Sequence, residues 1–185
     1  MSHPVVLVNE EDHSLGTAEK LRAHTQGWLH RAFSVFMFDP QGRLLLQQRT
    51  GDKYHSGGLW SNTCCSHPRP GEAPLDAAHR RLSEEMGFTA ASLTPVFQKT
   101  YNLPVDNDLV EHEHNHVFVG TTQAPTIQPS AEEVSDWAWV HPSTLREDLT
   151  NRPDRYTAWF RLLIGPTLDT APTPPSPTAP PPANP

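Results

Sequence analysis

Residues 110–119 read VEHEHNHVFV, and this alternation constrains the chain more than any other stretch of it. Val110, Val117, Phe118 and Val119 favour an extended strand. Side chains in a strand repeat with a period of two, so Glu111, Glu113 and Asn115 share one face and His112, His114 and His116 share the other. Both faces carry groups that chelate metals, and spacing alone leaves open which of them does chemistry.

At 185 residues, 36% hydrophobic and 19% charged, the chain is long enough for one globular domain with a real core. A net charge of -7 and a pI near 5.8 argue against nucleic-acid or membrane-surface partners, which need a broad cationic footprint. The start, MSHPVVLVNEED, has no basic segment leading into a long apolar run, and no run of about eighteen apolar residues occurs anywhere. A soluble cytoplasmic protein, monomeric or homodimeric, is expected. Cys64 and Cys65 are neighbours, so a bond between them would be strained and would close no useful loop. Reduced thiols are expected.

Residues 165–185, GPTLDTAPTPPSPTAPPPANP, are proline-dense and almost free of large apolar side chains. They read as a disordered tail behind a domain spanning 1–164. Strands are expected at 4–8, 95–102, 109–120 and 137–140, with a hairpin formed by 29–39 and 42–49 around DPQG. Leu75, Ala78, Leu82 and Met86 recur at steps of three and four between a proline and Gly87, which predicts an amphipathic helix over 74–86. A last helix is expected at 154–163. The class is α+β, a mixed sheet with helices packed on it.

On the 74–86 helix, Arg80 with Glu84 and Arg81 with Glu85 are i,i+4 pairs, which on spacing alone make a solvated face. Taken with the preceding loop, SHPRPGEAPLDAAHRRLSEEMGF resembles the Nudix box through Glu72, Arg80, Leu82, Glu84, Glu85, Gly87 and Phe88. The resemblance implies a Nudix-like α/β/α sandwich that binds a divalent cation and a diphosphate. Ser66 stands where the first glycine of the box belongs, and Arg81 replaces an acid that hydrolases of this group use on the metal. Hydrolysis of a prenyl or nucleoside diphosphate is therefore the weaker alternative, since Arg81 suits holding a diphosphate without cutting it.

EKLRAHTQGWLHRAFSVFMFD, QQRTGDKYHSGGLWSNTCCSHPRPGE, RRLSEEMG and VEHEH together resemble type I isopentenyl-diphosphate delta-isomerase. That family moves a double bond, giving dimethylallyl diphosphate through a tertiary carbocation, by protonating one carbon and deprotonating another. Such chemistry needs an acid and a base across a flat substrate, a dry pocket and a diphosphate anchor. The resemblance implies Cys65 on one side of the alkene and Glu113 with Tyr101 on the other, with the direction of proton transfer left open. It implies a metal, manganese, zinc or magnesium, on His24, His30, His67, Glu111 and Glu113, so that the carboxylate face of the strand is the working one. It further implies magnesium on Glu85 beside a diphosphate held by Lys20, Arg49, Lys53 and Arg81, with Trp159 next to the cation. A third reading, a metal-binding module built on His112, His114 and His116, rests on their geometry alone.

Overall fold

The computed structural model describes residues 3–123 and 126–170. In chain order the elements are β1 (Val5–Val8), β2 (Ser14–Ala18), α1 (Lys20–Gln26), β3 (His30–Phe38), β4 (Leu44–Arg49), β5 (Trp60–Ser61) and β6 (Cys64–Ser66). There follow α2 (Pro74–Met86), β7 (Thr94–Pro104), β8 (Val110–Thr121), β9 (Val134–Val140), α3 (Pro142–Asn151), a 3-10 turn at Pro153–Arg155, and α4 (Ala158–Thr170).

The strands form one mixed sheet of nine. Its centre is β3, an almost unbroken apolar run that is buried nearly throughout, as befits a strand covered on both faces. It pairs antiparallel with β6, Ser34 opposite Cys65, and parallel with β8, His30 opposite Glu113. The turn expected after β3 forms: Gly42 sits at φ 73°, its N–H donates to the Asp39 carbonyl at 2.9 Å, and the Asp39 carboxylate accepts from the Arg43 N–H at 2.8 Å. The hairpin expected around it does not extend. Phe38 opposite Leu44 is the registered pair, after which β3 turns to β6 and β8 while β4 runs against β9 and β5. Both strands find longer partners elsewhere in the sheet, and these outweigh the local pairing.

Period two sorts β3 between two cores. Phe33, Val35 and Met37 pack with Cys64 under α2, through Ala77, Ala78, Leu82 and Met86. Phe36 and Phe38 face the other way, with Leu145 of α3 and Trp159, Phe160 and Leu163 of α4. The helix over 74–86 appears with the expected bounds and ends at Gly87, φ 73°. Leu75 does not join its buried stripe and is 37% exposed, whereas Ala77 is fully buried.

The last helix differs in its bounds from the 154–163 expected and runs into the first residues of the expected tail. α4 starts at Ala158 and continues through Pro166 to Thr170, because Ile164 and Thr167 are buried and Leu168 packs on the same core. The remainder of the expected disordered tail, residues 171–185, lies outside the described residues. Among the described residues no helix is long and apolar enough to cross a membrane.

Candidate active site

The site lies where the first residue of β3, the end of β6 and the start of β8 meet α1. Seven residues make α1, and it forms because both ends are capped. The Glu19 carboxylate accepts from the N–H groups of Leu21 and Arg22 at 2.9 and 2.7 Å, and Gly27 closes it at φ 62°. This short helix delivers His24. His24 Nδ1 donates to the Lys20 carbonyl at 2.7 Å and His30 Nδ1 to the Trp28 carbonyl at 2.8 Å. With the ring proton held on Nδ1 by a carbonyl, each Nε2 presents a lone pair to the interior, the arrangement that orients ligating histidines.

One atom from each of His24, His30, His67, Glu111 and Glu113 lies within 4.8 Å of the others. His67 Nε2 is 3.1 Å from Glu113 Oε1 and 3.2 Å from His30 Nε2. His24 Nε2 stands 3.2 Å from Glu111 Oε2, yet both atoms are buried without a hydrogen-bond partner. Two buried lone pairs facing each other repel, and a cation between them removes the conflict. Burial lowers the pKa of His30 to about 4 and holds His67 well below its ordinary value, so both rings are neutral, the form that ligates. The five residues therefore fit a metal ion.

The carboxylate face of β8 is thus the one that faces the cluster. Of the opposite face, His112 is taken by the Gly27 carbonyl at 2.8 Å, and His114 and His116 stand with Asp12 in a separate group. Tyr101, directly across from Glu113 in the β7–β8 ladder, donates its O–H to Glu113 Oε2. Asn115 Nδ2 donates to the same oxygen at 3.0 Å and to Tyr101 Oη at 3.0 Å. Burial, and then the neighbouring Glu111 charge, raise the Glu113 carboxyl well above the usual carboxylate range. Burial likewise raises Tyr101, which remains a donor.

Cys65 and Glu113 line one cleft of about 40 Å³, together with Lys20, Arg49, Tyr54 and Trp159. Burial pushes the Cys65 thiol up to about 12, so it holds its proton at neutral pH. Cys64 points into the apolar core under α2. The Trp159 ring is fixed by its Nε1 donating to Ser61 Oγ at 3.1 Å, and the Arg49 guanidinium lies 5.2 Å from its centroid. Arg49 is held in turn by the carbonyls of Ser56 and His55.

The remaining expected cations are arranged in two steps. Lys20 also borders a neighbouring cleft of about 320 Å³ that contains Ser66, His67 and Arg81. There Arg81 donates to Glu84 at 2.8 Å, Glu85 at 2.6 Å and Glu133 at 3.1 Å, and Lys53 meets the same Glu133. Glu85 belongs to this wall rather than to the histidine cluster, and its second oxygen accepts from Gln47 at 3.0 Å.

Sequence reasoning missed His55, Tyr54, Asn115 and Glu133. His55 is 2% exposed and its Nε2 donates to Glu111 Oε1 at 2.9 Å, which makes it a fourth imidazole beside the metal group but outside it. Asn115 was legible as the third member of the working face of β8; nothing in KYHSGG marks His55.

The NUDIX domain model matches residues 28–160. The isopentenyl-diphosphate Delta-isomerase of Burkholderia multivorans is 52% identical over 164 residues, covering 89% of this chain and 92% of that protein. The protein of the same name from Streptomyces avermitilis is 52% identical over 160 residues, covering 85% and 80%. Among solved structures, DR0079 from Deinococcus radiodurans superposes with a TM-score of 0.73 at 17% identity, covering 88% of this chain and 98% of that one, which shows the fold alone. With the family model matched over most of the chain and relatives 52% identical over most of their own length, the chain belongs to the NUDIX family, among the isopentenyl-diphosphate Delta-isomerases.

Proposed function

We propose that this chain converts isopentenyl diphosphate into dimethylallyl diphosphate, with Cys65 and Glu113 as the two proton-handling groups. The observation that carries the reading is their sharing of one narrow cleft, walled by Trp159 and Arg49. They come from β6 and β8, which flank β3, so their strands stand two spacings, about 10 Å, apart. One group gives a proton to the terminal carbon of the alkene, the other removes a proton from the carbon two bonds away, and the double bond moves without net loss of atoms. Tyr101 and Asn115 hold the Glu113 carboxyl in place, and the Trp159 face stabilises the tertiary cation between the two steps.

His24, His30, His67, Glu111 and Glu113 would hold manganese, zinc or magnesium, whose charge would offset the buried carboxylate pair and fix Glu113. Lys20, Arg49, Lys53 and Arg81 would anchor the diphosphate, with Glu85 holding a magnesium beside it. Against a hydrolase stands Arg81, whose guanidinium occupies the acidic wall of Glu84 and Glu85.

Incubation with isopentenyl diphosphate in heavy water tests the reading. Deuterium is expected in the dimethylallyl product, and Cys65→Ala is expected to abolish conversion while leaving substrate binding largely intact. Release of phosphate without isomerisation, or near-full turnover by the alanine variant, would overturn it.

A further inference from the structure

β8 has a second face, and it too gathers ligands. His114 and His116, two residues apart, project from it on the side away from the carboxylate pair, and their rings stand 5.5 Å apart. Asp12 reaches them from the turn between β1 and β2. The turn is built to present that carboxylate: Asp12 sits at φ 63°, and the Asn9 side chain accepts from the His13 N–H at 2.8 Å. Arg31 Nε donates to Asp12 Oδ1 at 2.7 Å, which leaves Oδ2 facing His116 Nε2 at 2.9 Å. One ligand atom from each of the three residues lies within 4.8 Å of the others.

We propose that Asp12, His114 and His116 form a second metal site, for a divalent transition ion of the zinc, nickel or copper class. Two imidazoles and one carboxylate select such ions over magnesium and calcium, which take oxygen ligands. Alternate positions on one strand face suit a chelating pair, because both rings leave the sheet in the same direction.

The partners that would orient the ligands are already present. Arg31 fixes Oδ1. Gln98 bridges the two rings, its Nε2 3.3 Å from His116 Nδ1 and its Oε1 3.1 Å from His114 Nε2. Thr100 Oγ1 lies 3.0 Å from His114 Nδ1. When an ion replaces the proton on His116 Nε2, the neutral ring carries its proton on Nδ1, where the Gln98 amide accepts it after turning over. His114 exchanges one of its two partners for the ion. The site is independent of the isomerase reading, because its two histidines project from the other face of β8 and Asp12 comes from the β1–β2 turn.

The experiment is a calorimetric Zn2+ titration of the full chain carrying its active-site metal, with bound zinc counted after gel filtration. The wild type is expected to take up one equivalent more than the variants His116→Gln and Asp12→Asn, or to bind it at least tenfold more tightly, with isomerisation unchanged in both. The variant His67→Asn, which damages the first site, is expected to keep this extra equivalent even if the His116 variant fails to fold. Equal stoichiometry and affinity in wild type and variants, or loss of all zinc uptake in His67→Asn, would overturn the proposal.

Discussion

If the histidine–glutamate cluster holds a metal as proposed, replacing His55 by alanine should loosen it and leave turnover intact once metal saturates. His55 Nε2 donates to Glu111 Oε1 at 2.9 Å, while Oε2 of the same carboxylate faces His24. The histidine therefore sets the rotation of Glu111 about its terminal bond and so the direction of the oxygen that faces His24. A hydrogen bond to a charged acceptor contributes about 1.5–3 kcal/mol, and removing it from a buried carboxylate also strands an oxygen. At about 1.4 kcal/mol per decade, that is roughly a 10- to 100-fold rise in the metal dissociation constant, the range typical for outer partners of metal ligands. Competition with a coloured chelator measures the constant, and turnover against metal concentration separates binding from chemistry. The expected result is a weaker constant with kcat restored at saturating metal, and a partial rescue in His55→Gln, whose amide keeps a donor. An unchanged constant, or a fallen kcat that excess metal does not restore, would refute the positioning role.

Two further outcomes follow from the geometry. With the Cys65 thiol pushed up to about 12, its thiolate fraction at pH 8 is about 10⁻⁴, so alkylation by iodoacetamide should run about 10³-fold slower than for an ordinary exposed cysteine. The rate should rise about tenfold per pH unit with no plateau below that value, read by mass spectrometry of the labelled peptide. Gly87→Ala would place a methyl group 2.2 Å from the Gln128 carbonyl oxygen at a backbone φ of +73°. Steric and conformational costs together should reach about 2–3 kcal/mol and lower the melting temperature by about 4–12 °C.

Much of this molecule was legible because its signals are local. The 74–86 helix carries its own proline start and glycine stop, and β8 carries its own alternation. What stayed hidden depends on partners distant in sequence. α1 has only Ala23 and His24 buried, too few for a periodic stripe, and its cap is a glutamate rather than one of the preferred short side chains. α3 buries Leu145 alone among its described residues, and β2 is exposed along most of its length. The separation of β3 from β4 was invisible for the same reason, since it is decided by β6, β8 and β9. Within the site, the motif resemblance named the five residues that cluster and the thiol that shares their cleft. His55 acts on Glu111 from the lining of the cleft and Asn115 on Glu113 through a buried hydrogen bond, and no spacing rule announces such roles. Leu75 was misplaced because a three–four repeat gives an angle around the helix but not how far the neighbouring layer reaches along it.

The central position of β3 has a consequence for selectivity. Because the thiol and the carboxylate are carried by the strands on either side of it, one opposite Ser34 and the other opposite His30, the distance between their main chains is set by ladder spacing and register together. No change of loop length alters that main-chain gauge, which leaves only side-chain rotation to adjust the reach of the two groups. The backbone thus acts as a calliper, and a bulkier guest would have to leave through the mouth of the cleft instead of stretching its jaws.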